Sequence, residues 1–127
     1  MRALLDTSFF VASESGRPLG EVPGVEETDV SVVTLAELTL GVLLADDAQR
    51  PTRLSTLAGV ESTWDPLPVE TDVARAFARL VADLRSRGRR VPVLDALIAA
   101  TAMVEGVPVV TQDRDYDAMP GVSVIRV

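Results

Sequence analysis

The stretch RALLDTSFF (residues 2–10) places one carboxylate, Asp6, between two apolar runs. RALL has the length and composition of a short buried strand, and TSFFVASE after it suits a short helix. An aspartate at such a joint can cap the helix. The same position, just past the carboxyl end of a strand, is where open α/β sheets form their sites. The fold therefore turns on whether this strand–acid–helix unit recurs.

Outward from it, the alternation repeats. DVSVV (29–33) reads as a second strand, followed by a helix over 35–45. Pro51 suits a helix start, and RLSTLAGVES continues at helical spacing. WDPLPV is extended, a strand at most, because its prolines cannot donate to a ladder. TDVARAFARLVADLRSR has apolar residues at 73, 77, 80, 81 and 84, an amphipathic helix that Gly88 stops. Pro92 opens the helix within VPVLDALIAATA (91–102), where Asp95 is the only charge. VPVVT (107–111) reads as a strand, DRDYDAM as a short helix or turn, and VSVIRV as the final strand. GRPLGEVPG (16–24) is turn-rich and reads as a loop. Short strands apolar on both faces, alternating with helices, predict an α/β fold with a parallel sheet covered by helices. A length of 127 residues without repeat or linker predicts one domain over 1–127.

Composition removes most catalytic chemistries. There is no histidine and no cysteine, and all twelve basic residues are arginines. Imidazole bases, thiol nucleophiles, zinc–thiolate sites, Schiff-base lysines and lysine-bearing phosphate loops are all absent. Carboxylates, hydroxyls, one tyrosine and arginines are left, so an enzyme built from them calls for an oxygen-ligated Mg²⁺ or Mn²⁺. A net charge of −7 argues against a general nucleic-acid coat, yet RSRGRR (85–90) sets four arginines in six residues. No apolar run approaches the roughly 18 residues of a membrane span. Neither a secretory signal nor a disulfide is expected, which points to the cytoplasm.

Four acids stand out, and each has an ordinary structural role open to it. Asp6 can cap a helix. Thr34-Leu-Ala-Glu37 matches the capping-box pattern. Asp95, in the first turn after Pro92, suits the helix dipole. Asp113 can cap the turn through Tyr116. Those roles do not explain the joint placement. In a parallel sheet, Asp6, Glu37 and Asp113 fall at one edge, with Asp95 facing them. Two unit charges 4 Å apart repel by about 1 kcal/mol in water and roughly 4 kcal/mol at an effective dielectric of 20. A cap returns only about 0.5–2 kcal/mol. A cluster of these acids calls for a cation.

LLDTSFF with Asp6, SVVTLAEL with Glu37, VPVLDALIAATA with Asp95 and VVTQDRDYDAM with Asp113 resemble the ordered acidic motifs of PIN-domain nucleases. Among these, the chain most resembles the VapC toxins of bacterial type II toxin–antitoxin pairs, from residue 2 to the C-terminus. The resemblance implies a PIN-like three-layer sandwich and an acidic metal pocket. It implies a Mg²⁺- or Mn²⁺-dependent endoribonuclease, a VapB-like antitoxin that blocks the site, and a homodimer. Asp6 and Asp95 match direct metal ligands, while Glu37 and Asp113 match acids that bind directly or through water. Ser8 and Thr111 match supporting hydroxyls, and Asp115 a further acid. Products with 5′-phosphate and 3′-hydroxyl ends are also implied.

Arg85, Arg87, Arg89 and Arg90 are candidate RNA-phosphate contacts, because guanidinium groups grip phosphate bidentately. A solvated helix end is the other reading. Arg79–Asp83 and Asp83–Arg87 suit i,i+4 pairs. Tyr116 and Trp64 could stack on a base or serve packing. A phospho-acceptor receiver domain would need a lysine, which is absent. A haloacid-dehalogenase-type phosphatase would need Asp-x-Asp after the first strand, where Thr7 and Ser8 stand. The rival function is a non-catalytic PIN-fold module that binds RNA or protein.

Overall fold

A computed structural model of the chain describes residues 1–16 and 21–127. Four strands, β1 (Arg2–Leu5), β2 (Glu27–Val30), β3 (Val109–Thr111) and β4 (Val124–Arg126), form one sheet. Their order is β2-β1-β3-β4, and every pairing is parallel. Five helices connect them: α1 (Thr7–Ser13), α2 (Val32–Leu44), α3 (Arg50–Thr63), α4 (Thr71–Ser86) and α5 (Val93–Glu105). A 3-10 turn, Arg114–Ala118, lies between β3 and β4.

The side-chain period of two along each strand divides the core into two layers. Leu4 and Val109 face one side, where they pack with Leu80 and Leu84 of α4 and with Ala96, Ile98 and Ala99 of α5. Ala3, Leu5, Val30 and Val110 face the other, against Phe9 and Phe10 of α1, Leu38 of α2 and Val60 of α3. The sheet is thus covered on both faces, as the alternation predicted, in the three-layer arrangement. Small residues on α5 let it lie close: Ala96, Ala99 and Ala100 are fully buried. Gly106 closes that helix in the left-handed conformation (φ 68°), which a residue with a Cβ adopts only under strain.

In the order 2-1-3-4 the connection from β1 runs to one side of the sheet and the chain then returns to add β3 on the other, so the strand order reverses between β1 and β3. The crevice outside the carboxyl ends of those two strands is the switch point at which such sheets bind ligands. Asp6 is the residue after β1, and its N–H donates to Val110 O of β3 at 2.9 Å.

The clearest departure from the sequence reading is at the second strand. DVSVV (29–33) is not one strand: pairing with β1 ends at Leu5↔Val30, and Ser31 begins α2 as its N-cap. Its hydroxyl accepts from Val33 N–H at 3.0 Å, so the valines that looked like strand residues form the first helical turn. The same fact removes the capping box, since Thr34 lies inside α2 and caps nothing. WDPLPV contributes only a bridge at Leu67, which donates to Val30 O at 2.8 Å and accepts from Val32 N–H at 2.9 Å. Pro66 and Pro68, on either side, have no N–H with which to extend it. Residues 17–20 of the predicted GRPLGEVPG loop lie outside the described residues, and Pro23–Gly24 form a turn.

Candidate metal centre

Each acid reaches the crevice from a different element. Asp6 caps α1 by accepting from Ser8 N–H, and is 2% exposed. Asp95 sits in the first turn of α5, 8% exposed, with no side-chain capping bond at that helix start. Glu37 projects from α2, half-buried. Asp113 caps the 3-10 turn, accepting from Asp115 N–H at 2.8 Å. Ligand oxygens of Asp6, Glu37 and Asp95 lie within 4.8 Å of one another, as do those of Asp95, Asp113 and Asp115. Asp95 belongs to both groups. A cleft of about 480 Å³ opens over them, lined by Asp6, Ser8, Glu37, Asp95 and Asp113 among others.

The electrostatics are those of a site short of positive charge. None of the ion pairs formed among the described residues includes Asp6, Glu37, Asp95, Asp113 or Asp115. Burial, and then the charges of Asp6 and Asp113, push the Asp95 carboxyl up to about 8. Glu37 is raised chiefly by burial, against the opposing pull of the Thr7 hydroxyl, and further by Asp6 and Asp113. Asp115 is raised by desolvation and by Asp113. All-oxygen donors, crowded and unpaired, suit a hard divalent cation such as Mg²⁺ or Mn²⁺. The donor set therefore fits the metal that composition called for.

Hydroxyls hold the acids in place. Thr111 Oγ1 donates to Asp6 Oδ2 at 2.8 Å and accepts from Asp113 N–H at 2.9 Å, so one buried threonine links two of the acids. Ser8 Oγ lies 3.1 Å from Thr111 Oγ1 and accepts from Gln112 N–H at 3.0 Å. Both expected supporting hydroxyls are thus at the site. Two further residues escaped sequence reasoning. Thr7 donates to Glu37 Oε1 at 2.7 Å and lies 3.1 Å from Thr34 Oγ1. Tyr116, read as either stacking on a base or packing, is a fully buried packing residue, and what the sequence did not give is that its hydroxyl donates to Asp6 Oδ1 at 2.8 Å. The signal available for it was Asp113, whose cap on Asp115 fixes the direction of the turn that turns Tyr116 inward. Trp64 is a packing residue too: its ring meets Phe10 edge-on at 5.4 Å, and its Nε1 donates to Thr28 O at 3.0 Å.

The arginines do not join the acids. Arg85, Arg89 and Arg90 rim a separate cleft of about 440 Å³, floored by Phe77, Val81 and Val91. Arg87 pairs with Asp83 at 3.1 Å, one of the two i,i+4 pairs foreseen. The Arg79–Asp83 pair does not form among the described residues. The two clefts share no lining residue, and only the chain links them, Arg90 leading through Pro92 into the helix that carries Asp95.

Comparison with known proteins agrees with this geometry. The PIN domain profile matches residues 3–122. Over 98% of its length the chain is 47% identical to ribonuclease VapC5 of Mycobacterium tuberculosis, covering 94% of that protein. The chain belongs to the PIN-domain family, in its VapC branch. Ribonuclease VapC4 of the same organism is 43% identical over 99% of the chain and 97% of that protein. The PIN fold is equally clear in three dimensions. The crystal structure of VapBC-5, a toxin–antitoxin system of M. tuberculosis, superposes with a TM-score of 0.86 at 42% identity, covering 99% of this chain and 98% of that one.

Proposed function

We propose that this PIN-domain chain is a Mg²⁺- or Mn²⁺-dependent endoribonuclease, the toxin of a VapBC-like pair. The observation that carries the reading is the convergence of five carboxylates, none paired with an arginine, at the switch point of the sheet. Asp6 and Asp95 would hold the ion, with Glu37, Asp113 and Asp115 completing its surroundings directly or through water. A divalent cation bound there would lower the pKa of a water and offset charge on a phosphodiester. Glu37 or Asp113 would be the group to take up a proton there, since no histidine or lysine is available. Ser8, Thr111 and Thr7 keep the carboxylates oriented. Arg85, Arg89 and Arg90, free of acidic partners among the described residues, take RNA phosphates beside the acidic cleft.

The relatives named as VapC ribonucleases and the VapBC-5 complex support RNA as substrate and a VapB-like antitoxin as partner. No described helix is long and apolar enough to cross a membrane, and we place the protein in the cytoplasm as a homodimer.

The test is cleavage of end-labelled RNA by antitoxin-free protein, with Mg²⁺ and with chelator, followed by analysis of the new ends. Metal-dependent products bearing 5′-phosphate and 3′-hydroxyl are expected. Products ending in 2′,3′-cyclic phosphate would show attack by the ribose hydroxyl and contradict the scheme.

A further inference from the structure

An aspartate carboxylate offers about four lone-pair positions, two on each oxygen. Three of those on Asp6 are already taken by donors from this chain. Oδ2 accepts from Thr111 Oγ1 at 2.8 Å and from Ser8 N–H at 3.3 Å. Oδ1 accepts from the Tyr116 hydroxyl at 2.8 Å. The position left over is on Oδ1.

These donors are not free to turn away. Tyr116 is wholly buried, and a hydroxyl without a partner in that setting is costly. Thr111 is equally buried, and its oxygen is already an acceptor for Asp113 N–H, which leaves its proton for the carboxylate. Ser8 N–H is one of the unpaired amides at the start of α1, satisfied only by Asp6. The carboxylate is thereby pinned by three contacts from three elements: α1, β3 and the 3-10 turn.

We propose that Asp6 is a one-oxygen ligand, presenting Oδ1 alone to a single ion, and that Tyr116 is the positioning residue that aims it. This rests on the metal-dependent reading above and adds a specific consequence: Asp6 cannot chelate through both oxygens or bridge two ions with them. Tyr116 acts through Asp6 and is not itself a ligand, because it is wholly buried and does not line the acidic cleft.

Tyr116 is the only tyrosine in the chain, so biosynthetic 3-fluorotyrosine places one label beside this hydroxyl, with thermal melts checking that the fold is kept. In a Mg²⁺ titration of the labelled, antitoxin-free protein, the ¹⁹F resonance is expected to shift with the same midpoint as calorimetric Mg²⁺ binding. Tyr116→Phe is expected to weaken Mg²⁺ binding by about 10- to 100-fold, the usual cost of losing an outer partner of a metal ligand. A ¹⁹F resonance that ignores Mg²⁺, or a correctly folded Tyr116→Phe protein that binds Mg²⁺ as tightly as the parent, would overturn the inference. Asp6→Asn separates the two readings. If it binds Mg²⁺ like the parent, Asp6 is not a ligand and the metal reading that gives it that place is refuted; if it loses Mg²⁺ while the Tyr116 resonance of the parent ignores the ion, only the role of Tyr116 is.

Discussion

Thr7 Oγ1 donates to Glu37 Oε1 at 2.7 Å, tying the first turn of α1 to the second turn of α2. That bond opposes the effect of burial on Glu37, favouring its charged form. Thr7→Val deletes the donor with little change in volume. It is expected to lower RNA cleavage about 10- to 100-fold, as loss of an outer partner does, while the melting temperature moves little. Single-turnover cleavage and thermal melts on the same samples check both halves.

Asp95 makes the metal-free protein sensitive to alkali. Its carboxyl lies near 8 in the fold against an ordinary value of 3.8. Between those values the native state keeps a proton that the unfolded chain has released. Stability from this group is therefore lost as pH rises through that window. In chelator, the melting temperature is expected to be higher at pH 5 than at pH 8, with the slope reduced in Asp95→Asn. Added Mg²⁺ should close the gap, because the ion replaces the proton. Apparent Mg²⁺ affinity should accordingly rise by about tenfold per pH unit below 8.

Arg85, Arg89 and Arg90 stand apart from the acids and are free of acidic partners among the described residues. Their joint replacement by Gln should weaken RNA binding while leaving Mg²⁺ affinity unchanged. On single-stranded RNA each lost phosphate contact lowers the slope of log affinity against log salt by about 0.7, so a drop of about 2 is expected. An unchanged slope, measured by fluorescence anisotropy across a salt series, would return these arginines to a solvated helix end.

Ser31, not Thr34, caps α2. Ser31→Ala removes the true cap of α2 and should cost about 1 kcal/mol in denaturant unfolding. Thr34→Ala removes no cap, and its effect should appear in the same assays as Thr7→Val, through the contact of Thr34 with Thr7.

The pattern of apolar residues carried the fold well. Strands that are buried on both faces lack polar alternation, and RALL and VPVVT show that plainly. Asp6, Asp95 and Asp113 were legible because each follows a strand or sits in the first helical turn, whereas Glu37, expected in the first turn of a helix over 35–45, lies in the second turn of α2 because that helix starts at Val32. What failed were decisions made by side-chain contacts. DVSVV reads as a strand on β-branched composition, yet the Ser31 hydroxyl capping Val33 N–H starts a helix there. Glu37 matches a capping box in sequence, but the chain brings Thr7 to it from another element. Tyr116 could be read as a packing residue, but its bond to Asp6 depends on the turn that Asp113 caps and is not legible locally. Hydroxyl-to-carboxylate bonds spanning a hundred residues leave no local periodicity to read.

The central claim is that the carboxylate cluster binds the ion that cleavage requires, with Asp95 shared between both groups of ligands. Its most direct test is RNA cleavage by antitoxin-free protein across a Mg²⁺ and Mn²⁺ titration, with Asp95→Asn measured in parallel for cleavage and for ion binding. The account predicts cutting that rises with metal occupancy in the parent, and loss of both binding and cutting in Asp95→Asn. Cutting that persists in Asp95→Asn, or in chelator, would contradict it.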